Sequence, residues 1–156
     1  MATRLSAGIL LYRRQQGRLE VLLAHPGGPF HRSRGRAHWS IPKGEPAAGE
    51  DLEVAALLEY EEETGAAVPS GPRIALGSVR QKGGKVVSAW AVEGDLDVET
   101  ARSNRFEVEW PPGSGRRQSF PEVDRVAWFE LAEAHARITE AQRQLLDRLE
   151  EALAGS

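Results

Sequence analysis

Gly44-Glu45-Pro46-Ala47-Ala48-Gly49-Glu50-Asp51-Leu52-Glu53-Val54-Ala55-Ala56-Leu57-Leu58-Glu59-Tyr60-Glu61-Glu62-Glu63-Thr64-Gly65-Ala66 is the stretch that decides how this chain folds. Residues 50–64 have helical composition, with Gly49 before them and Gly65 after them as a C-terminal cap. Glu50 and Asp51 fall in the first turn, where the helix dipole favours anions. At about 100° per residue, Leu52, Ala55, Ala56, Glu59, Glu62 and Glu63 lie on one stripe. The first half of that stripe is apolar and should face the core. The second half is three glutamates, while Glu61 lies on the opposite side and is expected in water. Two unit charges 4 Å apart repel by about 4 kcal/mol at an effective dielectric of 20. Three such pairs are a large fraction of a typical stability of about 5–15 kcal/mol. Either the carboxylates splay into solvent or cations neutralise them. A site built from oxygen ligands, in a chain without cysteine, favours Mg²⁺ or Mn²⁺ over zinc.

Outward from the helix, the pattern is strand-like. Residues 6–14 and 19–24 read as strands joined by a turn at Gln15–Arg18, a hairpin. Pro26 to Gly35 is loop, and His38–Ile41 is a short extended segment stopped by Pro42. Residues 74–81 and 86–92 form a second hairpin around Lys82-Gly83-Gly84-Lys85. Residues 106–110 read as a strand, 111–119 as a Gly/Pro/Arg loop and 122–129 as a strand. Residues 138–154 form an amphipathic helix with Leu145, Leu146, Leu149 and Leu153 on one side. Strands, helix, strands, helix predict an α+β fold, a mixed sheet sandwiched by helices.

The 156 residues suit one domain, 1–156, with 40% hydrophobic and 28% charged residues as in an ordinary globular protein. The absence of cysteine excludes a disulfide scaffold, a thiolate metal site and a cysteine nucleophile, and fits a reducing, cytoplasmic setting. No apolar run approaches the roughly 20 residues of a membrane span, and Met1–Ser6 shows no signal peptide. The net charge of −3 hides an uneven distribution: +7 over residues 1–43 and −8 over residues 44–72. The basic segment does not make a nucleic-acid module. Tyr12, Phe30 and Trp39 are few and do not interleave with the charges as a stacking platform would. The four histidines, 25, 31, 38 and 135, have no metal-ligand spacing.

Gly44, Glu50, Glu59, Tyr60, Glu62, Glu63, Gly65 and Ala66 together resemble the Nudix box, and Trp39-Ser40-Ile41-Pro42-Lys43-Gly44 resembles its usual lead-in. The region around Gly27–Phe30 and Pro112–Arg117 further resembles small bacterial Nudix proteins with a nucleoside triphosphate pyrophosphohydrolase assignment. The resemblance implies a Nudix-like α/β/α sandwich in which a loop–helix–loop motif holds two or three divalent cations, Mg²⁺ or Mn²⁺. It implies hydrolysis of a phosphoanhydride bond in a nucleoside diphosphate linked to another moiety. Glu59, Glu62 and Glu63 would be metal ligands and catalytic groups, with the Gly44 carbonyl a further ligand. Glu50 would brace the motif, and Glu122 is the nearest match to an additional acid before the last strand. A polyanionic substrate needs basic loops, which makes Lys43 the first candidate for phosphate contact. Arg32, Arg34, Arg36, Arg80, Lys82, Lys85, Arg116 and Arg117 follow. The partner is thus a nucleotide, with no membrane and no nucleic acid. Monomer and homodimer both fit the sequence.

One residue departs from the pattern. Leu58 stands where the family has an arginine that holds a box glutamate. Leucine cannot donate a hydrogen bond, which leaves three readings open: a slower hydrolase, a substitute basic residue elsewhere, or a nucleotide-binding sensor of the same fold without turnover.

Overall fold

A computed structural model describes residues 4–28 and 38–155. Its centre is a six-stranded mixed sheet with spatial order β4-β5-β1-β2-β8, with β3 pairing on β1. The strands are β1 (Leu5–Gln15), β2 (Arg18–Pro26), β3 (Lys43–Gly44), β4 (Arg73–Arg80), β5 (Val86–Glu93) and β8 (Val123–Glu130). β1 and β5 run parallel, and the other pairings are antiparallel. Both predicted hairpins are present, β1–β2 and β4–β5.

β1 explains the layering. Residues 6–12 are all buried, because the strand is covered on both faces. Ala7, Ile9 and Leu11 point to one side, where helix α1 (Leu52–Thr64) adds Ala55, Ala56 and Tyr60. Leu10 and Tyr12 point to the other, where α2 (Leu131–Arg137) and α3 (Arg143–Ala154) add Ala134, Leu145, Leu146 and Leu149. The alternation of the strand thus sorts one apolar run into two cores. The α+β sandwich expected from the element order is the observed architecture.

Several boundaries differ from the sequence expectation. Helix α1 begins at Leu52, because Asp51 is its N-cap and accepts the Val54 N–H at 3.1 Å. Glu50 therefore lies before the helix and accepts the Ala47 N–H at 2.9 Å. The stretch 138–154 is not one helix. Ile138 is extended (φ −77°, ψ 149°) and closes α2, and a 3-10 turn at Glu140–Gln142 precedes α3. Within the expected loop 111–119, Arg117 already belongs to strand β7 (Arg117–Pro121). It pairs with β6 (Arg105–Glu109) as a separate two-stranded ribbon. The Arg117-Gln118-Ser119 run has no apolar alternation, so only its pairing makes it a strand.

Candidate active site

Two glycines bring the lead-in against β1 and α1. Lys43 and Gly44 pair with Gly8 and Ala7 of β1, and the Ile9 N–H donates to the Pro42 carbonyl at 3.1 Å. A Cβ on Gly8 would meet that carbonyl at 2.6 Å, so the crossing needs glycine. At Gly44 the requirement is also space: a Cβ there would collide with the Glu59 carboxylate. Gly44→Ala is accordingly expected to fold but to push Glu59 aside. The carboxylate is the far end of a flexible side chain and can swing away at little cost in stability, so the effect is expected in metal binding: calorimetry should show Mn²⁺ affinity reduced by roughly tenfold, about 1.4 kcal/mol.

The far end of α1 is fixed by a chain of backbone hydrogen bonds. Carbonyls at a helix C-terminus lack partners within the helix. Here Gly65, in the left-handed conformation (φ 79°), donates to Glu61. The Asn104 N–H donates to the Glu62 carbonyl at 2.9 Å, and the Arg102 N–H donates to the Thr64 carbonyl at 2.8 Å. The Asn104 carbonyl in turn accepts the Glu122 N–H at 2.8 Å, and the Glu122 carbonyl accepts the Gly27 N–H at 2.9 Å. Glu122 is thereby tied to the last turn of α1, 60 residues away in sequence.

Glu63, Glu122 and Lys43 line one cleft of about 190 Å³, with Ser40 and Ile41 at its wall. The glutamates act on one another. Burial, then Glu62, Glu122 and Glu50, push Glu59 up to about 7. Burial pushes Glu63 up to about 8, with Glu59 and Glu122 adding, while the Lys43 ammonium and a hydrogen bond from the Lys43 backbone work against the rise. Glu122 is raised by burial and by Glu62. Lys43 is lowered by burial and by Lys85, against the pull of Glu63, Glu45 and Glu59. Glu59 and Glu63 are thus half-buried, Glu62 and Glu122 are exposed beside them, and the ammonium they act on, Lys43, is half-buried.

Among the described residues, no three carboxylate or imidazole side chains stand close enough to hold one ion as they lie. Repulsion among unneutralised carboxylates spreads such a cluster. The donor set itself suits a hard divalent cation: carboxylate oxygens, a glycine backbone against which the Glu59 carboxylate packs, and a surplus of negative charge.

A pH dependence follows. The folded, metal-free chain retains protons on Glu63 and Glu59 that the unfolded chain releases near the ordinary 4.5. The unfolded state thus binds fewer protons between about pH 4.5 and 8, and stability falls as pH rises through that window. With chelator present, Tm is expected to be higher at pH 5.5 than at pH 8.5. Saturating Mg²⁺ should remove most of the difference, and a flat profile would contradict the burial of these groups.

The remaining sequence candidates are distributed unevenly. Glu62 is exposed at the edge of the cluster, and Glu61 is exposed, as expected. The apolar stripe does not stop at Ala56. It continues through Tyr60 and Thr64, both buried, so the glutamates flank the core instead of replacing it. Arg80 and Lys82 line a different cavity, of about 590 Å³, beside Thr139 and Glu140. Arg80 there donates to the Gly84 carbonyl at 3.3 Å. Lys85, from the same turn, is the one whose charge reaches Lys43. Arg116 and Arg117 are exposed on the β6–β7 ribbon. Arg32, Arg34 and Arg36 lie outside the described residues. Leu58 is 47% exposed on α1. Asn104 and Gly27, which place Glu122, carry no local sequence signal, because they act through backbone groups.

Clustered glutamates in the second half of a helix, beside a Lys43-Gly44 lead-in on a mixed sheet between helices, form a set of oxygen donors that suits a hard divalent cation. The chain belongs to the NUDIX domain family, whose model matches residues 2–149. A curated relative, the asymmetrical bis(5'-nucleosyl)-tetraphosphatase of Caenorhabditis elegans, is 40% identical over 58 residues. That match covers 37% of this chain and 38% of the relative, little more than a third of its length. A C. elegans Ap4A hydrolase binary complex shares the fold with a TM-score of 0.63 at 24% identity, covering 98% of this chain and 99% of that one. The NUDIX domain of Shewanella oneidensis NrtR complexed with ADP ribose has a TM-score of 0.66 at 20% identity, covering 98% and 90%. No helix among the described residues is long and apolar enough to cross a membrane.

Proposed function

We propose that the chain is a divalent-metal-dependent hydrolase of a phosphoanhydride bond in a nucleoside diphosphate linked to another moiety. Nucleoside triphosphates and dinucleoside polyphosphates are the substrate classes, the second also matching the activity in the tetraphosphatase relative's name. The observation that carries this reading is the cleft in which Glu63, Glu122 and Lys43 meet, with Glu59 and Glu62 coupled to it by charge.

Glu59, Glu62, Glu63 and the Gly44 carbonyl are the residues that would hold Mg²⁺ or Mn²⁺. Bound there, the cation would neutralise phosphate oxygens and acidify a water. Lys43 binds a phosphate oxygen, and the carboxylates around it keep its half-buried ammonium charged. A glutamate of the cluster, Glu59, Glu63 or Glu122, orients the attacking water and takes its proton. The one that serves is the one whose carboxylate is left free by the cation, because a bound cation pulls the pKa of its ligands down. Arg34 and Arg36, together with Arg80 and Lys82 at the β4–β5 hairpin, are the further candidates for substrate contact. The chain acts as one domain, and its lack of cysteine suits the cytoplasm.

A substrate panel with Mg²⁺ and with Mn²⁺, reading product identity, tests the proposal. Metal-dependent release of a nucleotide is the expected result. Leu58 is the observation behind a second reading, a nucleotide-binding sensor. Such a protein would bind metal and nucleotide and release no phosphate from any member of the panel.

A further inference from the structure

We propose that Gln142 is a positioning residue that holds Lys43 at the phosphate end of the cleft. The proposal rests on the hydrolase reading above. Gln142 lies in the 3-10 turn between α2 and α3 and is 0% exposed. A fully buried amide is informative because its polar atoms must be matched. Here the match is made to two separate elements. Its Oε1 accepts the Ile41 N–H at 3.0 Å. Its Nε2 donates to Ser40 Oγ at 3.1 Å and to Gln81 Oε1 at 2.8 Å.

The partners give this arrangement its meaning. Ser40 and Ile41 form a wall of the cleft and lead, through Pro42, directly into Lys43 and Gly44. Neighbouring backbone groups of the lead-in are paired with backbone: Ser40 with Ala24, Trp39 with Arg137 and Thr139, and Pro42 with Ile9. The Ile41 N–H instead takes a side chain 101 residues away. Gln81 opens the β4–β5 turn, and its N–H donates to the Lys85 carbonyl at 2.7 Å. One amide therefore fixes the lead-in carrying Lys43 relative to the turn carrying Lys85. Gln142 hydrogen-bonds the Ser40–Ile41 wall of the cleft and none of the glutamates, so it acts on the lead-in that carries Lys43 and not on the carboxylates.

Gln142→Leu keeps the volume and removes all three hydrogen bonds. Displacements near 1 Å at a reacting group cost on the order of 10²-fold, so kcat is expected to fall about 10- to 100-fold. The Mg²⁺ concentration for half-maximal activity should change by less than kcat does, since among the proposed ligands only the Gly44 carbonyl lies on the lead-in. Lys43→Ala should cost far less in the Gln142→Leu background than in wild type, a non-additivity that a general loss of stability would not produce. A second measurement needs no turnover. Amide hydrogen exchange in Gln142→Leu should accelerate at Lys43–Gly44 and at residues 81–85 while α1 stays protected. A kcat within twofold of wild type, additive effects of the two substitutions, or faster exchange confined to Ile41 would each overturn the proposal. Absence of hydrolysis by wild type would overturn the hydrolase reading and leave the exchange result to decide the positional claim.

Discussion

Glu63→Gln is expected to lose most of its turnover while gaining stability in the metal-free state. Both effects have one origin. Glu63 is half-buried beside Glu59 and Glu122, and burial first, then their charge, holds its proton up to about pH 8. A cation makes that carboxylate useful. Without the cation, the ionised group destabilises the fold. Glutamine keeps the shape and removes the charge. Cation charge stabilisation contributes several kcal/mol, and a loss of about 3–4 kcal/mol is roughly 10²–10³-fold in rate. With chelator at pH 8.5, Tm should rise by several degrees, since about 1 kcal/mol moves Tm by about 2–4 °C in a chain of this size. Glu61→Gln is the control: Glu61 is exposed on the opposite side of α1, and neither quantity should move. Steady-state rates beside thermal denaturation of both variants check the pair. A Glu63→Gln variant with turnover near wild type would remove that residue from the metal site.

Leu58→Arg is expected to raise the rate at saturating Mg²⁺. The site has room, because Leu58 is 47% exposed and Glu62 stands one turn on, at i+4. A charge-assisted hydrogen bond contributes about 1.5–3 kcal/mol. Realised fully in the transition state, it would be worth roughly 10–150-fold. Leu58→Gln, which adds polarity without charge, should gain less. An unchanged rate in a folded Leu58→Arg variant would mean that the missing arginine does not limit this chain, and would favour the sensor reading if wild type also lacks turnover.

The parts of this site legible in the sequence are those built from local periodicity. The spacing of Glu59, Glu62 and Glu63 is set by one helix, and Gly65 and Asp51 bound that helix through short-range capping. The hairpins announce themselves by alternation and turn glycines. What stayed hidden depends on pairing between distant segments. Glu122 is a candidate through the family resemblance alone, and what brings it to the cluster is Asn104, which caps α1 and then accepts the Glu122 N–H. Lys43, ranked first in the sequence beside Gly44, is half-buried near Glu63, whereas Arg80, a lesser candidate, faces a separate cavity that only the β4–β5 pairing defines. The break at Ile138 was also hidden, since the apolar spacing runs on into α3 while Ile138 itself pairs in parallel with Trp39. On α1 the core face continues from Ala56 at i+4 to Tyr60, a residue whose apolar ring reads as core, and at i+8 to Thr64, whose polar side chain gives no such signal.

The most direct test of the central claim is ³¹P NMR of the wild-type chain with Mg²⁺ and the substrate panel in ¹⁸O-labelled water. The account predicts loss of a phosphoanhydride resonance from at least one nucleoside diphosphate-linked compound, with ¹⁸O appearing on one product phosphate. The same signal should be nearly absent in Glu63→Gln. Nucleotide resonances that shift on binding with no labelled product, across the whole panel, would contradict it.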